Sequence, residues 1–544
     1  MNGLALLFLM LQGAAAQEEE ALLRAALYLS GASEVEQLDE GLLAALEAYE
    51  GRKIALNRDR LRPSLLLSAY QVASLQDYRS RSGDILSWEE LALVDGFSRE
   101  AVEALRPFLS LDSDRLPGAS DTLRWRATAL ARATLTSFGG KARLQGRHLQ
   151  LGGAWRGSDG SFHADYQAGA HRFVLGDFRL RFGQGLAFWD GFSMESLSSV
   201  DAFLKRAQDL SPLWSYSSAN GSRGVAWQYG RRHWGLTAFA TKSPTAGLHA
   251  DYLGFRSQWG VTAAWDFNAA GKLRLSLDGR LHFRSSDLAF EGALRNHAPA
   301  GKAALRVRLG ERAALAWQLR ALPSAFSGRK NGEYALAGGW SFRSARWQDL
   351  AGQSGFGSRE PVHRLSLTAD AALLPVPGVD PRRFQLRAYA LWQWQVGPRW
   401  RWTLRATERY RNYENPRTAL RGELRRAWGP CTATWRGEMV WCEKAGALTY
   451  GEIAGKTDCL SGALRLSLFH IDAWNDRIYC YERDAPGTFS VPAYSGRGGC
   501  LSAVMGGKKM WKHLTLKGWL RAACQLRVGR EPAYTLNLQL QAEC

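Results

Sequence analysis

No stretch of the 544 residues approaches the roughly 18 consecutive apolar positions that a membrane-spanning helix needs. A helical anchor is therefore excluded. Cysteine is missing from the first 430 residues. The seven that follow, Cys431, Cys442, Cys459, Cys480, Cys500, Cys524 and Cys544, never take CxxC spacing. A zinc or redox centre has no basis, and an odd number argues against a fully paired disulfide framework. They read as small apolar side chains on strands, with one or two loop disulfides left open. HExxH and GxSxG are absent, and Gly183-Gln184-Gly185 lacks the GxGxxG spacing of a nucleotide loop, so its glycines read as a bend or bulge. These absences leave no catalytic residue, metal or cofactor to name, and a non-enzyme is expected. Acidic residues are in deficit: 51 Asp and Glu face 70 Lys and Arg, a formal net charge of +19. That balance invites a polyanion such as nucleic acid, lipopolysaccharide or an anionic membrane surface, or else marks the basic lining of a pore.

What is present begins with "MNGLALLFLMLQGAAAQEEE". A short apolar core, Leu4 to Leu11, precedes the small residues Ala14-Ala15-Ala16, the layout of a secretory signal peptide. Residues 1–16 are expected to be removed and the remainder exported.

Residues 17–62 carry Leu and Ala three and four apart, as in "EVEQLDEGLLAALEAYEG", the stripe of short amphipathic helices. The pattern continues over 63–110, where Ser87 and Glu90 form a capping-box pair. Leu91, Val94, Phe97, Val102, Leu105 and Leu109 are the expected core. Residues 111–120, "LDSDRLPGAS", read as a linker.

From residue 121 to 544 the period becomes two. In "RWRWTLRATERYR", Trp400, Trp402, Leu404, Ala406 and Tyr410 share one face, opposite Arg399, Arg401, Arg405, Arg409 and Arg411. Alternation of this length exceeds the usual soluble strand and fits a tilted membrane crossing. Strands in a bilayer must close on themselves, because lipid offers no partner to an open edge. The expectation is a small all-α N-terminal domain followed by a large antiparallel transmembrane β-barrel of roughly 20–24 strands, an even number. A barrel of that size normally needs a plug. Residues 187–223 break the alternation and read as a plug or a long surface loop. "YERD", Tyr481–Asp484, reads as a salt-bridged cluster at a loop base or in the lumen, with a carboxylate pair as the other option.

The stretches "LLLSAYQVASLQDYRSRSG" and "LALVDGFSREAVEALRPFL" resemble the tandem helix-hairpin-helix of the competence DNA-receptor family. The whole layout, including "KIALN", "GDFRLRFGQGLAFWDGF" and "DRIYCYERDAPGTFSVPAYSGRG", resembles exported helix-hairpin-helix barrel proteins of Bacteroidetes-type bacteria. The resemblance implies an outer-membrane location with the hairpins in the periplasm. It also implies a non-sequence-specific DNA interface at Ser68, Tyr70, Gln71, Gly96, Phe97, Ser98 and Arg99, where backbone amides near glycine meet phosphate. Here only Gly96 of four expected glycines is present, and Asp95 stands beside it.

Two functions follow as expectations. In one, the barrel binds or transports, handling DNA through the hairpins, with Arg399, Arg401, Arg405 and Arg409 as a basic lumen ladder that favours anions. In the other, the helical domain is a scaffold or gate that does not bind DNA. The partners are outer-membrane lipid and either DNA or a periplasmic protein.

Overall fold

Along Leu460–Ile471 the alternation sends Leu464, Leu466 and Leu468 outward, 54%, 53% and 54% exposed, while Arg465 and Ser467 face inward at 5% and 2%. The same inversion holds in Ser257–Asp266, where Trp259, Val261 and Trp265 are exposed and Thr262 is buried. A soluble sheet buries its apolar face; here that face looks out and the polar one in. This is the arrangement a bilayer selects.

The computed structural model describes residues 15–113 and 125–544, apart from 39, 48, 50–52, 58–60, 62, 147, 192–196, 232, 255, 269–271, 311, 345–361, 398, 458, 489 and 512–513. The wall is a closed antiparallel barrel of 24 strands, running from Arg126–Thr134 to Ala533–Glu543. The first strand pairs with the last, and Ala127 exchanges both backbone hydrogen bonds with Cys544, at 3.1 and 3.0 Å. No edge is left unpaired in the ring, which is the barrel's answer to lipid. Because the strand number is even, both ends of the wall lie at one mouth, here called the near mouth. Among the described residues no helix is long and apolar enough to cross a membrane, and all seven cysteines are free thiols.

The helical region holds α1 (Ala15–Ser30), α2 (Glu40–Glu47), α3 (Ala69–Ser82), α4 (Trp88–Leu91) and α5 (Arg99–Leu105). Serine opens three of them. The Ser68 hydroxyl accepts from Gln71 N at 3.2 Å while Gln71 Oε1 accepts from Ser68 N at 3.0 Å, a complete capping box. Ser87 and Ser98 accept from Glu90 N and Ala101 N, each at 3.1 Å. Glu90 reaches back to Leu86 N rather than to Ser87 N.

The six expected core residues are all buried, in one cluster with Leu22, Leu46, Leu56, Leu75 and Ile85. A two-stranded parallel sheet, Ile54–Asn57 with Leu109–Ser113, ties the region together. Buried Asn57 holds it: its side chain accepts from Ile85 N at 2.9 Å and donates to the carbonyls of Ile85 and Leu111 at 2.8 Å.

Two expectations need correction here. The first motif is not a helix-hairpin-helix, because bends at Leu65–Leu67 and the strand Ile54–Asn57 stand before α3 where a helix was expected. Only the second has helices on both sides, and α4 is a single turn. The expected linker starts inside the strand that ends at Ser113; its remainder, 114–120, lies outside the described residues, as do residues 1–14 of the expected signal peptide.

Candidate functional site: a lumen occupied by the helical domain

The helical domain enters the near mouth, and residues 31–38 and Gly41 reach far into the barrel. Arg179 of the wall donates to Gly41 O at 2.8 Å. The Ser33 hydroxyl donates to Ser198 O at 2.9 Å. Arg206 donates to Leu66 O and Gln71 Oε1 at 2.9 and 3.0 Å.

At that depth two carboxylates of the domain meet the arginines of the wall. Glu34 lies between Arg405, at 2.6 Å, and Arg421, at 3.1 Å. Glu36 pairs with Arg436 and stands 3.6 Å from Arg421. Glu438 of the wall closes the network on Arg405 and Arg436. Arg405 and Arg421 are direct cross-strand neighbours, a like-charge opposition that destabilises a sheet unless an anion sits between them. Glu34 is that anion. Burial pushes the Glu36 carboxyl up, but the guanidiniums of Arg421 and Arg436 outweigh it and hold it far below the usual carboxylate range.

The expected arginine ladder therefore divides along its strand. Arg399 lies in the near-mouth turn, Arg401 lines a cavity beside the helical domain, Arg405 grips Glu34, and Arg409 lies 3.6 Å from Glu414 toward the far mouth. Carboxylates from distant segments neutralise part of it. Glu34, Glu36, Arg421 and Arg436 were missed in the sequence. The usable signal was charge: "ASEVEQLDE" is an acidic cluster in a chain whose wall is rich in arginine.

The residues of the expected DNA interface all line a cavity beside the wall, and two of them reach it, Tyr70 at His282 and Gln71 at Arg206. The Tyr70 ring stacks on His282, centroids 4.0 Å apart. Gln71 Nε2 donates to Gly96 O at 2.9 Å. Gly96 has φ +83°, and a Cβ there would meet the Tyr70 ring at 2.9 Å, so glycine serves close packing of the turn against α3. Phe97 is buried and its N–H is bonded to Val94 O. The hydroxyls of Ser68 and Ser98 are engaged as helix caps, and Asp95 pairs with Arg256 at 3.2 Å. Arg99 lines the cavity.

Two far-mouth loops fold inward to meet the domain. The first includes the expected 187–223 segment; its residues 192–196 lie outside the described set. Gly183, at φ +56°, bends the chain so that three amides, of Gln184, Leu186 and Ala187, donate to buried Glu291 at 2.7–3.0 Å. This glycine loop cradles a carboxylate of the wall and not a nucleotide. Further on, Phe203 is fully buried, and its carbonyl accepts from Gln318 at 2.7 Å.

The second loop carries the Tyr481–Asp484 stretch, every charge of which is paired. Arg483 meets Glu452 at 2.8 Å, Glu482 meets Arg521, and Asp484 meets Arg132 and Arg521 at 3.1 and 3.3 Å. The salt-bridged reading holds.

The plug is off-centre. Between the helical domain and a wide arc of wall lies a cavity of about 1910 Å³, lined by 18 Arg and Lys and 10 Asp and Glu. Among the described residues no group of three or more His, Cys, Asp or Glu is placed to hold a metal ion.

No protein-family model matches the sequence, and no curated protein matches it. Among solved structures, the chain is similar to the translocation pore of the P pilus usher PapC, with 7% identity, 77% of this chain and 98% of that one covered, and a TM-score of 0.33. It is also similar to the outer membrane protein OpdK of Pseudomonas aeruginosa, with 10% identity, 77% and 98% covered, and a TM-score of 0.31. For OccK5 (OpdH) of the same organism the values are 10%, 77%, 96% and 0.29. The barrel assignment rests on the chain's own strand pairing and on its inverted burial.

Proposed function

We propose that the protein is an outer-membrane transport barrel closed by its own N-terminal helical domain, which enters from the periplasmic side and acts as the gate. The observation that carries this reading is Glu34 held between Arg405 and Arg421, a contact joining the domain to the lumen wall at mid-depth. A mere docking partner at the rim would need no such contact. The near mouth is the periplasmic one by the ordinary topology of such barrels, in which short turns face the periplasm. Most near-mouth turns here are two or three residues, while the far mouth carries the loops 182–221 and 472–495. The protein is a passage and not a catalyst.

In this reading the hairpin residues serve docking. DNA handling by Ser68, Tyr70, Gln71 and Gly96–Arg99 would first require the domain to leave the wall. Lipid surrounds the apolar belt, and a periplasmic protein is the partner suited to pulling the gate.

Conductance of the purified full chain in planar bilayers tests the reading. The wild type stays closed, and the double variant Glu34→Gln, Glu36→Gln opens to large, frequent currents. Breaking a buried pair from one side costs about 3–5 kcal/mol, enough to populate the open state. A large steady current through the wild type would refute the gate.

A further inference from the structure

We infer that the two inward loops of the far mouth are held in place by the helical domain, so that both ends of the lumen open as one unit. The inference rests on the gate reading and adds a second door to it. Three observations carry it.

The first loop ends its inward course on the domain. The hydroxyl of Ser198, 2% exposed, donates to Gln37 Oε1 at 2.6 Å, and the Ser198 carbonyl accepts from the Ser33 hydroxyl at 2.9 Å. The Ser199 hydroxyl donates to Gly31 O. Gly31 takes φ +69°, and a Cβ there would meet the backbone of Asp201 and Ala202 at 2.6 Å, so the two chains touch main chain to main chain. The second observation is Arg206. Its guanidinium donates to Leu66 O and Gln71 Oε1, both in the domain, and among the described residues it has no hydrogen bond elsewhere. Arg280 of the wall is near enough to repel it. Were the domain to leave while the loop stayed, Arg206 would lose both acceptors and keep the repulsion, a costly state for a charge away from water. The third observation joins the other loop. Glu36 Oε1 accepts from Tyr481 N at 3.4 Å and from Arg436, and Arg436 donates in turn to Tyr479 O at 3.4 Å. One carboxylate of the domain thus helps to seat the second loop. Contacts to the wall at Phe203 and Glu482 complete the two seats, but they leave Arg206 unanswered. Groups that supply each other's partners open together, as one cooperative unit. Whatever draws the domain out therefore releases the far loops as well.

Hydrogen exchange read by mass spectrometry tests this, on the full-length protein in detergent with urea rising toward the point where the barrel unfolds. Segments 22–38, 197–206 and 478–484 are expected to open together, at the same urea and with the same dependence on it, while the strand Leu460–Ile471 stays protected. Two variants read the coupling at a distance. Glu36 has no described contact with 197–206, and Arg206 has none with 478–484. Yet Glu36→Gln and Arg206→Gln should each quicken exchange in all three segments by about ten-fold. The inference is overturned if a loop stays protected after the domain has opened, or opens without it. It is overturned equally if the three open only with the wall, or if either variant leaves its distant segment unchanged. Conductance separates this from the gate itself. Currents through the Glu34→Gln, Glu36→Gln variant with both loops still protected keep the gate and remove the interlock. Joint opening without current keeps the interlock and removes the gate.

Discussion

The phenol ring of Tyr70 lies on the imidazole of His282, 14° from parallel. One ring opens α3 and the other ends a wall strand, so this stack holds the hairpin side of the domain at the rim while Glu34 holds it at depth. Tyr70→Ala is expected to loosen docking by about 1 kcal/mol. Limited proteolysis of the helical domain, with the barrel left intact, should then quicken several-fold. An unchanged rate would mean that the rim contact is not part of the closure.

The acid response follows from Glu36. Its carboxyl is held below the usual range, so the stabilisation it supplies is fully present above the ordinary carboxylate pKa and is lost only as pH falls through the lowered one. Wild-type barrels should therefore remain closed in bilayers from pH 7 to about 5 and begin to open only in stronger acid. Opening already complete at pH 6 would contradict this.

Asp209, in the inward loop, responds oppositely. Burial, with the carboxylates of Asp251 and Asp278 nearby, pushes its carboxyl up to about 8. A raised carboxyl binds its proton more tightly in the folded state, so its favourable effect is greatest at low pH and is lost as pH rises toward that value. Urea unfolding of the wild type should lose stability between pH 5 and 8, by at most about 1.4 kcal/mol per unit. Asp209→Asn should flatten the slope.

Glu291 supports that loop through three amides. Glu291→Ala leaves those donors buried without an acceptor, at about 1–3 kcal/mol each before relaxation. Cleavage by protease within 182–221 should rise at least ten-fold, while Glu291→Gln, which keeps one oxygen, should fall between.

Leu466 faces outward at the middle of its strand. Leu466→Arg should reduce folding stability in lipid vesicles by about 2–4 kcal/mol, the midplane penalty for arginine. Equal stability would place this face away from lipid.

How far the sequence speaks depends on distance along the chain. Alternation in "RWRWTLRATERYR" assigns Arg405 to the lumen because side-chain direction on a strand is a local property. Its partner Glu34 lies 371 positions away, and nothing local to either residue announces the other. The helical stripe likewise marked Leu91, Val94, Phe97 and Leu105 as core, yet could not say whether that core was a free domain or a stopper. The hairpin resemblance misled at Leu65–Leu67, where a bend does the work of a missing helix. At Gly96 the structure shows a packing reason for glycine, a Cβ there meeting the Tyr70 ring, that the resemblance did not suggest. The inward folding of 187–223 was legible as broken alternation. Its grip on Glu291 was not.

The bond between Ala127 and Cys544 has a consequence for biogenesis. The ring cannot shut until strand Ala533–Glu543 has met strand Arg126–Thr134, whereas the helical domain precedes both along the chain. Its carboxylate contacts at depth, Glu34 and Glu36 on Arg405, Arg421 and Arg436, are made to late strands, while Gly41 meets Arg179 of an early one. Glu34 and Glu36 of that domain are the carboxylates that the opposed Arg405 and Arg421 and the neighbouring Arg436 of later strands close upon.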